Sequence, residues 1–105
     1  MPSNYRDQKQ LRAIGHSLKP IITVAQKGLS ENIRTEIERA LHDHELIKLK
    51  LVAPDREARQ ALNEEICREF AAICVQQVGH MILLYRAAAK PDPKLSNILR
   101  NKPRQ

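Results

Sequence analysis

Three short groups of residues in this chain, and one lone cysteine, have types and spacings that could do chemistry. His42, Asp43 and His44 sit together at the end of a helical pattern and could offer two metal ligands. No HExxH or third-ligand motif accompanies them, and helix-terminal cations opposing the helix dipole explain them better. Cys67 could be a nucleophile only with a histidine base and an orienting acid, and its spacing puts it beside an apolar stripe. Glu64 and Glu65 are adjacent, so on a helix they point apart, as a solvated face and not as an acid/base pair. The third group is "AQKG", Ala25-Gln26-Lys27-Gly28, between an apolar run and a helix start. A strand-to-helix junction offers free backbone N–H groups, and a lysine beside a glycine suits a phosphate. His16 and His80 stand alone, and there is no Walker or Rossmann glycine pattern. The residues argue against an enzyme, and neither a catalytic centre, a metal nor a cofactor is expected.

Charge gives the phosphate reading its weight. The chain has 105 residues, a net charge of +6 and a pI of about 9.7. Residues 1–20 carry +3, residues 86–105 carry +5, and the stretch between them carries −2. Basic ends around a nearly balanced body suit a polyanion partner. Aromatic residues make up only 3% of the chain, which disfavours recognition of single strands by base stacking. "LIKLKLV" and "MILLYR" lack the aromatic pattern of an RRM. Contact with phosphates and shape remains, and structured RNA is the partner it suits. The competing reading is a protein-interaction adaptor whose basic ends bind an acidic partner.

The elements that must position these residues follow from periodicity. Leu11, Ile14 and Leu18 predict a helix over about 5–17, ended by Pro20. "IITVA", residues 21–25, predicts a short buried strand. Ser30 is the expected N-cap of a helix carrying Ile33, Ile37, Ala40 and Leu41 and running to His42 or His44. "LIKLKLV" alternates, with Ile47, Leu49 and Leu51 on a buried face and Lys48 and Lys50 on a wet one. Asp55 should cap a third helix whose stripe is Ala58, Leu62, Ile66, Phe70 and Ile73. "CVQQV" and "MILLYR" are two further strands, joined by a type II′ turn at Gly79-His80. Cys67 and Cys74 read as buried free thiols of a reducing compartment.

The order is α-β-α-β-α-β-β, a compact two-layer α/β sandwich with a four-stranded mixed sheet. Right-handed crossovers would put the second and third helices on one face. One domain is expected over residues 1–86, followed by a loose, basic, Pro-containing tail over 87–105. No apolar run approaches the roughly 20 residues of a membrane span, and the polar N-terminus lacks a signal-peptide core. A soluble, cytoplasmic monomer is expected.

Three segments in this order, "AQKGLSENI", "HELIKLKLV" and "GHMILLYR", with "IERALHDHELIK" joining the first two, resemble a known family. It is the CRM domain (chloroplast RNA splicing and ribosome maturation), in its stand-alone bacterial, YhbY-like form. The resemblance spans Tyr5 to Arg86. It implies a fold similar to the C-terminal domain of translation initiation factor three. Bacterial members associate with precursors of the large ribosomal subunit, and plant relatives bind introns. The family's GxxG loop maps here onto Ala25 to Gly28: Gly28 matches the second glycine, Lys27 the basic position, and Ala25 replaces the first glycine. Ala25 is expected to keep negative φ and end its strand. The implied reading is an rRNA-binding assembly factor. Ala25, Gln26, Lys27 and Gly28 would contact RNA, and Lys48, Lys50, Arg6, Lys9, Arg12, Arg86 and Lys90 would widen the footprint.

Overall fold

The computed structural model describes residues 8–25 and 29–100. The elements run α1 (Gln8–His16), β1 (Ile22–Ala25), α2 (Glu31–His44), β2 (Leu46–Val52), α3 (Arg56–Phe70), β3 (Ile73–Val78), β4 (Met81–Tyr85) and α4 (Asn97–Arg100). The four strands form one mixed sheet in the order β1-β2-β4-β3. β1 runs parallel to β2, and β4 is antiparallel to both of its neighbours.

Both crossovers, β1-α2-β2 and β2-α3-β3, travel the same way across the sheet. Crossovers of one hand then put both helices on one face. There Ile37, Ala40 and Leu41 of α2 and Leu62, Ile66 and Phe70 of α3 pack on Ile22, Val24, Ile47, Leu49, Leu51, Ile82 and Leu84. This is the expected two-layer body. Both helix starts are capped as their residue types dictate. The Ser30 hydroxyl accepts from the Ile33 N–H at 3.1 Å, and Asp55 accepts from the Ala58 N–H at 2.8 Å. The stripe on α3 ends at Phe70. Ile73 belongs to β3 and is exposed, while Ala71 closes the helix in the left-handed region at φ 53°.

The second face of the sheet is less wet than alternation implies. Leu46, Leu83, Tyr85 and Val75 are buried there beneath Leu11 of α1, with Ile14, Leu18 and Ile98 alongside. On β2 it is the Lys50–Val52 end that leaves this face open, with both residues exposed. β1 is an edge strand with an exposed Thr23 and Ala25, and not fully buried. α1 can approach closely because residue 15 is glycine. A Cβ built there would lie 2.4 Å from Leu83 Cδ2, inside the packed cluster. Gly15→Ala gains about 1 kcal/mol of helix propensity but forces overpacking that costs about 1–3 kcal/mol. The net expectation is a lower melting temperature in thermal unfolding, against the usual gain from Gly→Ala in a helix.

The tail departs most from expectation. Residues after Ala87 are not loose as far as Leu99. Ser96 is completely buried, and its hydroxyl donates to the Glu45 carboxyl at 2.6 Å. The Ala88 N–H donates to the other Glu45 oxygen at 2.7 Å, and the Asn97 amide donates to the Leu46 carbonyl at 2.7 Å. His44 Nδ1 meets the Leu95 carbonyl at 2.8 Å, which sets that nitrogen as the donor. The tail therefore ties back onto the α2–β2 junction through polar contacts that no hydrophobic pattern announces.

Candidate nucleic-acid interface

The register collects several loops at one end of the sheet. Ala25 pairs with Val52, Lys50 with Met81, and Met81 with Val78. The end of β1, the start of α2, the start of α3 and the Gly79-His80 turn therefore share that end. The Leu51 N–H donates to the His80 carbonyl at 2.7 Å and ties the turn to β2. Gly79 has φ 57° and His80 does not have positive φ, the pattern of the II′ class. Glu45, Arg86 and the tail lie at the opposite end.

Gln26, Lys27 and Gly28 lie outside the described residues, as does Arg6. Their flanks are described. Ala25 is exposed and ends β1 without positive φ, in keeping with its expected role as the last strand residue. Leu29 is buried in the main core, and its carbonyl accepts from Arg34 at 2.8 Å. Ser30 then caps α2. In sequence, residues 26–28 are flanked by a paired strand residue and a buried leucine.

The other candidate residues divide by face. Lys48 and Lys50 stand on the second face of β2, Lys50 exposed and Lys48 half-buried. Lys48 lines a cavity of about 230 Å³ with Leu18, Lys19, Ile21, His44, Ile47 and Asn97. Lys9 (exposed) and Arg12 (half-buried) lie on α1, which packs on that face. Lys9, Arg12, Lys48 and Lys50 thus belong to the α1 side of the sheet. Lys90 is exposed beyond the opposite end.

Arg86 is elsewhere and already engaged. Its guanidinium donates to both Glu38 oxygens, at 3.0 and 2.8 Å, and to the Phe70 carbonyl at 3.2 Å. It joins β4 to α2 and α3 on the helical face. The hydrogen bond from Arg86 holds the Glu38 carboxyl below its usual range despite some desolvation, with the charges of Arg86 and His42 adding to the effect. Arg34 pairs with Glu69 on the same face. A groove of about 500 Å³ there is lined by Arg34, Thr35, Glu38, Arg39, His42 and Phe70, with Arg34 paired to Glu69 and Glu38 paired to Arg86.

The residues first weighed for catalysis have structural surroundings. Cys67 and Cys74 are free and only partly buried, and both contact Asn63 at 3.4 Å. Burial, with Cys74 nearby, pushes the Cys67 thiol up to about 11, so it stays protonated at neutral pH. Asn63 is buried and also donates to Gln77 at 3.3 Å, which makes this a small polar lock between α3 and β3. His42 pairs with the adjacent Asp43 at 3.2 Å. Among the described residues no group of three or more His, Cys, Asp or Glu could hold a metal, and no helix is long and apolar enough to cross a membrane.

With this arrangement in place, the chain matches the CRS1 / YhbY (CRM) domain over residues 4–86. The chain belongs to that family. A Pseudomonas aeruginosa protein named a probable RNA-binding protein is 47% identical over 100 residues, covering 95% of this chain and 96% of its own. A Haemophilus influenzae RNA-binding protein is 45% identical over 89 residues, covering 84% of this chain and 90% of its own. The solution structure of a hypothetical Staphylococcus aureus protein, described as a candidate RNA-binding protein, superposes with a TM-score of 0.70. It is 28% identical and covers 79% of this chain and 86% of that one. As a CRM-domain protein the chain shares their mixed α/β fold. The Pseudomonas match extends past the family limit at residue 86, into the region where Ser96 packs on Glu45.

Proposed function

We propose that this protein binds structured RNA of large-ribosomal-subunit precursors and assists their assembly without being an enzyme. The observation that carries the reading is the placement of cations. Lys50 stands at the end of the sheet where β1 stops at Ala25, and Lys48, Lys9 and Arg12 lie on the same side of the sheet. Relatives named for RNA binding add direct support. In this mechanism Gln26, Lys27 and Gly28 approach an RNA phosphate, and the lysines of β2 and the cations of α1 contact neighbouring phosphates. Arg86 has a structural role in this reading, because Glu38 and Phe70 already take its donors. Lys90 and the rest of the basic tail add long-range attraction from the far end. The protein works as a monomer in the cytoplasm, and it needs no metal or cofactor.

Binding of this kind displaces counterions. The affinity for a structured large-subunit rRNA fragment should fall steeply with salt, with a logarithmic slope of about −0.7 to −0.9 per phosphate neutralised. Three to five contacts from the named cations would lower affinity by roughly an order of magnitude or more between 50 and 200 mM salt. A flat dependence, or tighter binding to an acidic protein than to RNA, would favour the adaptor reading instead.

A further inference from the structure

The end of the sheet where β1 stops at Ala25 holds a basic feature that the sequence pattern does not mark. A cavity of about 220 Å³ opens between the start of α3 and the β3–β4 turn, lined by Arg56, Arg59, Gln60, Gln77 and Gly79. It exists because β3 is irregular. A register shift between Cys74 and Gln76 changes the phase of the strand, so Cys74 and Gln77, three residues apart, both reach Asn63 on α3. Without that shift Gln77 would face away from the helix.

Arg59 Nε is buried and has no hydrogen-bond partner. No ion pair engages Arg56 or Arg59 among the described residues. The acids nearby are occupied or exposed: Asp55 caps Ala58, Glu64 accepts from Gln60, and Glu57 is exposed at the helix start. The Gln77 oxygen accepts from Asn63, which leaves its NH₂ as the free donor. An arginine cannot relieve a buried, unpaired N–H by losing its proton, so Arg59 keeps its full charge beside the cavity and favours an anion there. Two guanidiniums with an amide donor select an anion, and the planar arginine fork suits a phosphate. The volume is below the roughly 300–1,000 Å³ of pockets for whole small ligands. It fits a phosphate group with part of a ribose. A Cβ on Gly79 would meet nothing within 4 Å, so the turn side of the mouth is open.

We infer that this cavity seats a backbone phosphate of the RNA, with Arg59 as the buried donor and Arg56 as the outer one. The inference rests on the RNA-binding reading and extends its footprint. β3, which carries Gln77 and leads into the turn, lies three strand spacings from β1, roughly 14 Å at about 4.8 Å each. One RNA segment can therefore reach both this cavity and the end of β1 at Ala25.

The test uses the full chain, a structured large-subunit rRNA fragment and a salt series. Arg59→Met removes the unpaired buried donor, so its melting temperature should equal or exceed that of the wild type while RNA affinity falls about tenfold. Arg56→Gln, Arg59→Met together should also reduce the salt slope by about 0.7–0.9 for the phosphate lost. A fold-independent arm follows the Arg59 Nε–H resonance of the wild-type protein, which should shift on adding RNA and stay still on adding a poly-glutamate peptide. Unchanged affinity and slope in the double variant, or an Arg59 signal that moves only with the peptide, overturns the phosphate site. Wild-type protein that binds no RNA overturns the functional reading as well, so the two failures are distinguishable.

Discussion

Removing residues 88–105 should destabilise the fold severely. Glu45 is 5% exposed and sits at φ 64°, a backbone conformation unusual for a residue with a side chain. Its neighbourhood supplies the compensation. The Glu45 N–H donates to the Leu41 carbonyl at 3.0 Å, and its own carbonyl accepts from the Arg86 N–H at 2.9 Å. Its carboxyl takes the Ser96 hydroxyl and the Ala88 N–H. Truncation takes away both carboxyl donors, the Asn97–Leu46 bond and the packing of Ile98 on the second core. Water returns to the exposed groups and offsets part of the loss. Buried polar groups left unsatisfied cost about 1–3 kcal/mol each, and burial of a side chain such as Ile98 contributes about 1–2 kcal/mol at partial exposure. A net loss of about 2–4 kcal/mol corresponds to a fall of roughly 10–20 °C in melting temperature for a domain of this size. Ser96→Ala separates the hydroxyl from the rest. That hydroxyl also accepts from the Ile98 and Leu99 N–H groups and so caps α4, and its loss alone should cost about 1–3 kcal/mol. A truncated protein that melts within about 2 °C of the full chain would mean that these contacts add nothing.

Lys27→Glu should have the second large effect, on binding and not on folding. The residue lies outside the described segment, so the expectation rests on its sequence position between Ala25 and Leu29. Reversing its charge removes one charge-assisted contact, worth about 1.5–3 kcal/mol, and adds repulsion toward phosphate. RNA affinity should fall by roughly ten- to a hundredfold at low salt, each 1.4 kcal/mol being tenfold. Stability should stay within about 0.5 kcal/mol, as for surface changes that open no cavity. Arg39→Glu is the matched control: it makes the same change in net charge at an exposed site on the helical face. Screening over about 8–10 Å should leave its effect much smaller. Equal losses in the two variants would mean that net charge, and not the 26–28 segment, governs binding.

The local signals in the sequence were reliable where one residue type satisfies one local need. Ser30 and Asp55 cap the helices they precede, Gly79 turns the hairpin, and Ile47, Leu49 and Leu51 face the main core. Contacts between residues far apart in sequence were not legible. Ser96 meets Glu45 across 51 residues, and Arg86 meets Glu38 across 48, each through polar groups that show no periodicity. The Arg56–Arg59 cavity was hidden for a related reason. It depends on a bulge in β3, which alternation over "ICVQQV" cannot reveal. Part of the basic side was readable from composition alone, because Lys48 and Lys50 alternate with core residues. The pairing of Arg86 with Glu38 was not, since charge counting does not see an acid partner on another element.

The measurement that bears most directly on the central claim is the RNA that the protein touches in its cell. Tagged protein would be crosslinked by ultraviolet light, separated by gradient sedimentation, and the attached RNA sequenced. The account predicts that the protein migrates with large-subunit precursors and crosslinks to large-subunit rRNA, and that Lys27→Glu weakens the crosslink. Protein that stays at the top of the gradient, crosslinked to no ribosomal RNA, would contradict it.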